Sequence, residues 1–225
     1  ALDGLRKQIK AHADELSELG FRYCGVYASN TGRNVKEQMA LFVHTGSEVE
    51  FKIRLVRTGL GLEMAFIDFA SSLAPHGRLE LGNMNQPEFA YPPPDLFLMT
   101  VLGEKSLEEL YEAHVGHLTV LAREGFTPRP LSDEYGAQRA MDRWIHAYEY
   151  QVMRGRMTRR ADGSYRQKLS LGVFTTIAQA FIAVSPLGVF ALGKRTEAGR
   201  AMALRRAAAL AKRMPEQWRM KPERV

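Results

Sequence analysis

The sequence predicts an α+β protein: an N-terminal helix, a four- to five-stranded antiparallel meander, two helices, a basic β-hairpin and a C-terminal helical appendage. Three observations support this order. Apolar residues recur at helical spacing before residue 20, apolar and polar residues alternate between residues 21 and 84, and a helix-capping signal stands at residue 106. We place a boundary after residue 131, so that 1–131 form an α+β meander domain. Residues 132–225 then contain a helix, the basic hairpin and the apolar and basic helical appendage.

The first helix is predicted over residues 2–19. Its apolar positions are spaced three and four residues apart, which places them along one side of a helix that lies on a sheet or pairs with another chain. Gly20 provides the C-terminal stop, because glycine readily adopts the left-handed conformation that ends helices. The apolar positions are Leu2, Leu5, Ile9, His12, Leu16 and Leu19.

The strands are predicted from five runs of period two, separated by turn residues. In the clearest run, apolar side chains alternate with Glu50, Lys52 and Arg54, so we expect the apolar side inward and the charged side outward. Short connections make neighbouring strands antiparallel. A further strand is a candidate at Leu96–Leu102, after a proline-rich crossing. The five runs are Phe21–Ser29, Glu37–Thr45, Val49–Arg57, Leu62–Ser71 and Arg78–Met84.

Two helices follow the sheet region. Ser106 and Glu109 form a capping box, in which each side chain accepts a bond from the other residue's backbone N–H, and they predict a helix over 106–124. Ser132 is expected to cap the next helix, which runs to about Met153. The predicted buried face of that second helix carries Met141, Trp144, Ile145, Tyr148 and Val152.

Few residues suggest catalysis or metal binding. Asp68 is the one acid in an apolar strand, and a strand-face or strand-end residue is favoured over a catalytic acid with a raised pKa. His114 and His117 are three residues apart on one helix face, but a tightly bound metal needs three or four ligands. We therefore expect no metal and no cofactor. The sequence lacks the common hydrolase, phosphate-loop, dinucleotide and zinc-protease motifs, so no catalytic residue is assigned and a non-enzyme is favoured.

A basic hairpin is predicted at 155–171. Asp162 and Gly163 favour a two-residue type I′ turn, in which both central residues need positive φ. The order of helix, basic hairpin and further helix resembles the recognition helix and wing of winged-helix DNA-binding domains. That resemblance implies a nucleic-acid-binding protein that uses the hairpin and the 196–214 helix.

The last predicted helix, Thr196–Met214, is rich in alanine and arginine, and alanine strongly favours helix. Met202, Leu210 and Met214 give it only a thin apolar edge. Such a helix suits a solvated surface, an anionic lipid surface or a row of phosphates.

Charge is distributed unevenly along the chain. Residues 1–153 contain 15 basic and 21 acidic side chains, whereas residues 154–225 contain 16 basic and 4 acidic ones. An excess of positive charge in one part of a chain indicates a polyanionic partner, either anionic lipid headgroups or nucleic acid.

The segment Leu169–Gly193 contains no charged residue and has basic residues on both sides. Its length suffices to cross a bilayer, but Pro186 interrupts a helix and several polar side chains dilute its hydropathy. Basic flanks on both sides suit a segment that enters the membrane interface and leaves on the same side. The alternatives are a buried strand and core helix of a soluble domain, or a full membrane span.

We therefore predict a non-catalytic accessory or interaction protein, peripheral to a membrane or part of a membrane complex, at the cytoplasmic face of the membrane or in the cytoplasm. The expected partner is an anionic membrane surface or a membrane-protein complex. A nucleic-acid binder and an enzyme without a recognisable motif are the alternatives. The predicted membrane or partner contacts are Phe174, Ile177, Phe181, Val184, Leu187, Phe190 and Trp218. The predicted contacts to an anionic partner are Arg154, Arg156, Arg159, Arg160, Arg166, Lys168, Lys194, Arg195, Arg205 and Arg206.

Overall fold

The computed structural model describes residues 2–32, 35–46, 48–58, 63–83, 92–101, 105–131, 136–167 and 197–220. The helices in these ranges are α1 (Leu2–Glu18), α2 (Leu107–Arg123), α3 (Gly136–Met153), α4 (Glu197–Lys212) and a short 3₁₀ helix, Glu216–Trp218. The strands are β1 (Phe21–Gly32), β2 (Val35–His44), β3 (Glu50–Thr58), β4 (Glu63–Ala74), β5 (Arg78–Gly82), β6 (Leu96–Thr100), β7 (Thr127–Pro128), β8 (Met157–Arg159) and β9 (Tyr165–Gln167). This order confirms the predicted α+β class.

The first five strands form the predicted antiparallel meander, in the order in which they occur along the chain. The candidate strand near residue 96 is confirmed as β6, which joins β5 as a parallel neighbour and places Leu79 beside Phe97. β7 pairs with the end of β4, and β8 pairs with β9 in a separate hairpin. The capping box of Ser106 and Glu109 is also confirmed at the start of α2.

One face of the sheet carries the main apolar core. Phe51 and Ile53 of β3 are fully buried on this face, and the ring of Phe69 packs on Phe51 with centroids 4.8 Å apart. Burying such side chains removes apolar area from water, which is the largest favourable term in folding. α1, α2 and α4 cover this face with buried side chains that include Leu5, Leu16, Leu110, Leu121, Leu204, Ala208 and Ala211.

α4 belongs to this core, although its sequence predicted only a thin apolar edge. Its buried side consists of Leu204, Ala208 and Ala211, whereas Met202 and Leu210 of the predicted edge are 52% and 57% exposed. Alanine has a small side chain, so a helix can pack closely while its sequence shows little amphipathic contrast. The domain boundary after residue 131 stays a prediction.

The opposite face of the sheet is buried as well, and this corrects the expectation that Glu50, Lys52 and Arg54 point to solvent. All three side chains are buried, together with charged residues of β4 and β5. Alternation in β3 correctly assigned which residues share a face. However, ion pairs and a covering helix replace water on the charged side.

The covering helix is α3, and its orientation is the reverse of the predicted one. Arg139, Arg143 and Ala147 form its buried side. Met141 and Ile145, predicted to be buried, are 45% and 43% exposed, while Trp144, Tyr148 and Val152 are only half-buried. The prediction was wrong because it assumed an apolar surface beneath the helix, whereas the sheet presents carboxylates there.

The hairpin after α3 is confirmed, but its turn differs from the predicted two-residue type. Arg160 N donates to Ser164 O at 2.8 Å, and Gly163 N donates to Arg160 O at 3.0 Å, so the loop spans 161–163. Only Gly163 of the loop has positive φ, at 80°. Asp162 stabilises the longer loop by accepting a bond from Ser164 N at 2.9 Å, as Asp side chains commonly do in turns.

Candidate functional site

Eight charged side chains meet on the buried face between the sheet and α3, and we call them the ion network. Each is at most 4% exposed. Burying a charge is costly unless the charge is paired and hydrogen-bonded, so this concentration requires close partners. The members of the ion network are Glu50, Lys52, Arg54, Asp68, Arg78, Glu80, Arg139 and Arg143.

Arg78 lies at the centre of the ion network. Its Nε donates to Glu80 Oε1 at 2.8 Å, and its Nη2 donates to Glu50 Oε1. A third donor, Nη1, lies 3.3 Å from the hydroxyl oxygen of Ser72. One guanidinium of β5 thus joins a carboxylate of β3 to a carboxylate of its own strand.

Two arginines of α3 complete the pairing of the sheet carboxylates from the helix side. Arg139 Nε donates to Glu50 Oε2 at 3.0 Å, and Arg143 Nη1 donates to Glu80 Oε2. Residues four apart share one helix face, so both guanidinium groups reach the sheet together. Both carboxylates therefore bridge the sheet to α3, and the network fixes the position of the helix on the sheet.

The sheet register explains why the two carboxylates stand at this separation. Glu50 pairs with Ala70, and Ala70 pairs with Glu80 on the next strand, so one small side chain lies between two acids in the same row. An alanine leaves room for arginine side chains between the carboxylates. Lys52 adds a further ion pair, with its Nζ 3.1 Å from Glu80 Oε1.

The surrounding cations hold Glu50 and Glu80 in their ionised form. Burial alone would raise the pKa of Glu50, but the positive charges of Arg78 and its neighbours outweigh burial and lower this pKa to about 2. Burial alone would also raise the pKa of Glu80. The neighbouring cations, of which Arg143 has the largest effect, instead lower this pKa well below the usual range. Burial, followed by the charge of Arg78, lowers the pKa of Lys52, with Glu80 opposing the change.

Asp68, the acid that sequence analysis singled out, belongs to the same network. Its carboxylate accepts a bond from Arg54 Nε at 2.7 Å, and both side chains are buried. The Arg54 guanidinium also lies over the ring of Phe66, 5.3 Å from the centroid. The preferred interpretation of Asp68 as a strand-face residue fits this geometry.

The two histidines of α2 lie in the core. Both His114 and His117 are buried, and His114 Nε2 lies 2.9 Å from Ser71 Oγ. Burial, and then the neighbouring His117 and Arg78, lowers the pKa of His114 to about 3. Within the described residues, no group of three or more His, Cys, Asp or Glu side chains is arranged to hold a metal ion.

Asp95 connects three parts of the chain at the edge of the sheet. It is fully buried, and its two carboxylate oxygens lie 2.8 Å from His146 Nε2 of α3 and 2.6 Å from the backbone N of Met220. Its backbone oxygen also accepts from Arg78 N at 2.9 Å. Asp95 therefore ties α3 and the segment after the 3₁₀ helix to β5.

A cleft of about 470 Å³ lies where α2 and α4 end. Its lining includes three cations, Arg123, Lys212 and Arg219. Arg219 Nε donates to Met214 O at 3.0 Å, and Lys212 lies 3.5 Å from Glu124 Oε2. Cations are favoured at helix C-termini because the unpaired carbonyl groups there carry partial negative charge. Helix ends and one carboxylate thus account for the basic lining of this cleft.

The outward side of α3 presents an apolar surface. Met141 and Ile145 are one helical turn apart, and Met153 at the end of the helix is also exposed. Trp144 and Tyr148 lie beside them, with ring centroids 5.6 Å apart. Because the arginines of α3 turn inward to the sheet, its apolar side chains remain on the outside.

The hairpin extends this surface with positive charge. The ring of Tyr165 lies against Tyr148 with centroids 5.1 Å apart, and its hydroxyl donates to Glu149 Oε1 at 2.6 Å. Burial, together with this bond to Glu149, raises the pKa of Tyr165 to about 12. Arg159 Nη1 lies 3.3 Å from the same carboxylate oxygen. We call the combination of Met141, Trp144, Ile145, Tyr148, Tyr165 and the hairpin arginines the α3–hairpin surface.

The structure describes part of the predicted contact set. Arg154, Arg159, Arg160 and Arg166 are exposed on or beside the hairpin, and Arg156 is half-buried there. Trp218 is half-buried in the 3₁₀ helix, and Arg205 and Arg206 are exposed on α4. The other predicted contacts lie outside the described residues: Phe174, Ile177, Phe181, Val184, Leu187, Phe190, Lys168, Lys194 and Arg195.

The ion network and the outward apolar face of α3 were not among the predicted features. A signal for both was present in the chain. β3 and β5 each place acids and bases at alternating positions, and α3 carries Arg139 and Arg143 four residues apart, away from its apolar stripe. A charged strand face and a helix with a matching charged face can be complementary partners, which hydropathy alone does not reveal.

No helix among the described residues is both long enough and apolar enough to cross a membrane. Comparison with known proteins found no matching family, no matching curated protein and no matching solved structure.

Proposed function

We propose that this chain is a non-catalytic accessory protein that associates with an anionic membrane surface, either directly or as part of a membrane complex. Residues 169–193 would provide the apolar contact, and the arginines on either side would bind lipid headgroups. The observation that carries the proposal is a run of 25 uncharged residues between two strongly basic flanks. Apolar burial and attraction to anionic headgroups act together at such a segment.

The described part of the chain supports this proposal at the entrance to the segment. The hairpin of β8 and β9 ends at Gln167, directly before this segment. Arg159, Arg160 and Arg166 are exposed on the hairpin, and Arg154 is exposed just before it. Each basic side chain close to an anionic membrane contributes on the order of 1 kcal/mol to binding. Several exposed arginines in one small hairpin therefore add usefully to an apolar contact that begins directly after it.

The test is co-sedimentation of the full-length chain with vesicles. Vesicles of phosphatidylcholine alone are compared with vesicles that contain an equal part of phosphatidylglycerol. We expect binding to the anionic vesicles and clearly weaker binding to the neutral ones. The double substitution Arg154→Glu and Arg160→Glu should reduce binding to the anionic vesicles on the order of tenfold or more.

A matched control uses two exposed cations in the acidic part of the chain. Arg6→Glu and Lys10→Glu on α1 change the net charge equally but lie far along the chain from the hairpin. Equal loss of binding in both double variants would show that net charge alone is responsible. Absence of vesicle binding together with a shift of duplex DNA that weakens steeply with salt would replace the proposal with nucleic-acid binding.

A further inference from the structure

α3 is attached to the sheet in a manner that leaves its apolar side free. Its inward contacts include the ion pairs of Arg139 and Arg143 with two buried carboxylates, the contact of His146 with Asp95, and the packing of Ala147 on Leu96 and Met220. Its outward side carries Met141 and Ile145, both more than two-fifths exposed. A surface helix ordinarily turns its apolar stripe to the core, so an outward stripe marks a surface that contacts something other than water.

The chemistry around this stripe is that of a membrane interface. Trp144, Tyr148 and Tyr165 form a row of contacting rings, each tilted against the next, that joins α3 to the hairpin. Tryptophan and tyrosine are enriched at the level of lipid headgroups, because each combines an apolar ring with a polar group. The exposed hairpin arginines stand at the end of this row, where they match a negatively charged surface.

Two acids on the outward side of α3 would oppose binding to anionic lipid. Glu149 accepts bonds from Tyr165 and pairs with Arg159, so its charge is balanced within the surface. Asp142, which accepts a bond from Gln138 at 2.7 Å, and the exposed Asp162 of the hairpin loop are the acids that a membrane contact must keep in the headgroup region. The exposed cations Arg154, Arg159, Arg160 and Arg166 outnumber these acids.

We infer that the α3–hairpin surface is a second lipid-binding element, which lies flat on the anionic bilayer that residues 169–193 would also contact. This inference rests on the proposed function, because both elements would contact the same membrane. It goes beyond that function by fixing the side of the folded protein that faces lipid. Met141 and Ile145 insert among the acyl chains near the headgroups, and the hairpin arginines bind phosphate. Trp144, whose ring also packs against the buried cluster of Leu96, Ala147 and Met220, borders the acyl chains beside them.

The first experiment places Trp144 relative to the bilayer. The chain contains two tryptophans, so the Trp218→Phe variant leaves Trp144 as the single indole reporter. Its fluorescence is measured with phosphatidylglycerol-containing vesicles whose acyl chains are brominated, and with unbrominated vesicles as reference. We expect clear quenching by the brominated lipid. Binding of this variant to vesicles without quenching of Trp144 would overturn the inference.

The second experiment removes the apolar stripe without disturbing the network beneath it. Met141→Ser combined with Ile145→Ser should raise the lipid concentration for half-maximal binding on the order of tenfold, because two partly exposed apolar side chains no longer leave water. Met202→Ser combined with Leu210→Ser on α4 is the matched control, since both residues are exposed to a similar degree. This control should bind within about twofold of the unaltered chain.

The outcomes separate the inference from the proposed function. If the unaltered chain does not bind anionic vesicles, the proposed function fails and the inference fails with it. A second outcome is that the unaltered chain binds, that the arginine substitutions weaken this binding, and that the Met141 and Ile145 substitutions do not. In that case the proposed function stands and the inference is overturned. A third outcome is that sedimentation shows a dimer, that the Met141 and Ile145 substitutions dissociate it, and that vesicle binding is unchanged. This outcome would assign the surface to contact with a second copy of the chain and would also overturn the inference.

Discussion

The two faces of the sheet are buried by different means. On one face, Phe51 and Ile53 pack under α1, α2 and α4 in a continuous apolar core. On the other, the side chains adjacent to them in β3, Glu50 and Lys52, form ion pairs under α3. The comparison shows that alternation in a strand identifies two faces but does not identify which one is exposed to water.

The two faces also differ in what holds the covering helices in place. Apolar contact is non-directional, and cores tolerate many substitutions of similar volume. A buried ion pair requires defined geometry, and loss of one partner leaves an uncompensated charge away from water. We therefore expect the charged face to be the more sensitive to single substitutions, and the apolar face to supply more of the total stability.

The largest loss of unfolding free energy is expected for Arg78→Met. Arg78 bonds both Glu50 and Glu80, so its removal leaves two buried carboxylates short of their central partner. Breaking such a pair typically costs about 3–5 kcal/mol of unfolding free energy. Urea denaturation followed by circular dichroism measures this loss.

Arg57→Met is the control for the Arg78 substitution. Arg57 also pairs with a glutamate, Glu63, at 2.8 Å, but its side chain is 52% exposed. Exposed pairs contribute at most about 1 kcal/mol, so this variant should remain nearly as stable as the unaltered chain. Equal losses in the two variants would mean that the charged face is open to water, contrary to the structure.

The next effect is a separate pH dependence for each face. Burial, and then His117 and Arg78, lowers the pKa of His114 on the apolar side to about 3. Between this value and about 6.5 the unfolded chain binds the extra proton, so stability falls as the pH decreases through that window. From pH 7 to pH 4.5 the loss should reach about 3 kcal/mol. Burial lowers the pKa of His76 as well, which acts in the same direction.

The glutamates of the charged face respond at lower pH than the histidine. The cations around Glu50 outweigh burial and lower its pKa to about 2, so its contribution is complete above about 4.5 and is lost as the pH falls toward 2. Urea unfolding at several pH values between 7 and 4.5 tests the histidine effect. His114→Gln should flatten the pH dependence in this range, and an unchanged slope would remove His114 as its cause.

Much of the fold could be predicted from local sequence patterns. The five meander strands and the start of α2 follow from period-two alternation, turn residues and a capping box, all of which depend on neighbours in the chain. The orientation of α3 could not be predicted in this way. Its apolar stripe is real, but Arg139 and Arg143 are drawn inward by carboxylates on β3 and β5, more than fifty residues earlier in the chain.

The candidate surface was only partly predictable for the same reason. The arginine-rich hairpin is visible as charge in the sequence, and the structure places its arginines on an exposed hairpin. Met141 and Ile145 were assigned to the core, because an apolar stripe on a helix is usually buried. Only the charged character of the sheet face beneath α3, a property of the assembled fold, reverses that assignment.

A smaller loss of unfolding free energy is expected from a substitution in the apolar face. Ile53→Val removes one methylene from a fully buried position and should cost about 1 kcal/mol, since the core is densely packed around it. Val26→Ala on β1 is a useful control because Val26 is 39% exposed, and its effect on the unfolding free energy should stay within about 0.5 kcal/mol. If Ile53→Val cost as much as Arg78→Met, the assumed difference in tolerance between the faces would be wrong.

The smallest effect is expected on the outward side of α3. Ile145→Ser should change the unfolding free energy by no more than about 0.5 kcal/mol, because the side chain is exposed and isoleucine and serine have similar helix propensities. Arg143→Met, two positions away on the inward side, should cost several kcal/mol by unpairing Glu80. Urea denaturation of both variants at low protein concentration measures the contrast. A loss above about 1.5 kcal/mol for Ile145→Ser would show that this side chain is covered in the folded chain, and the apolar surface would then no longer be free to bind lipid.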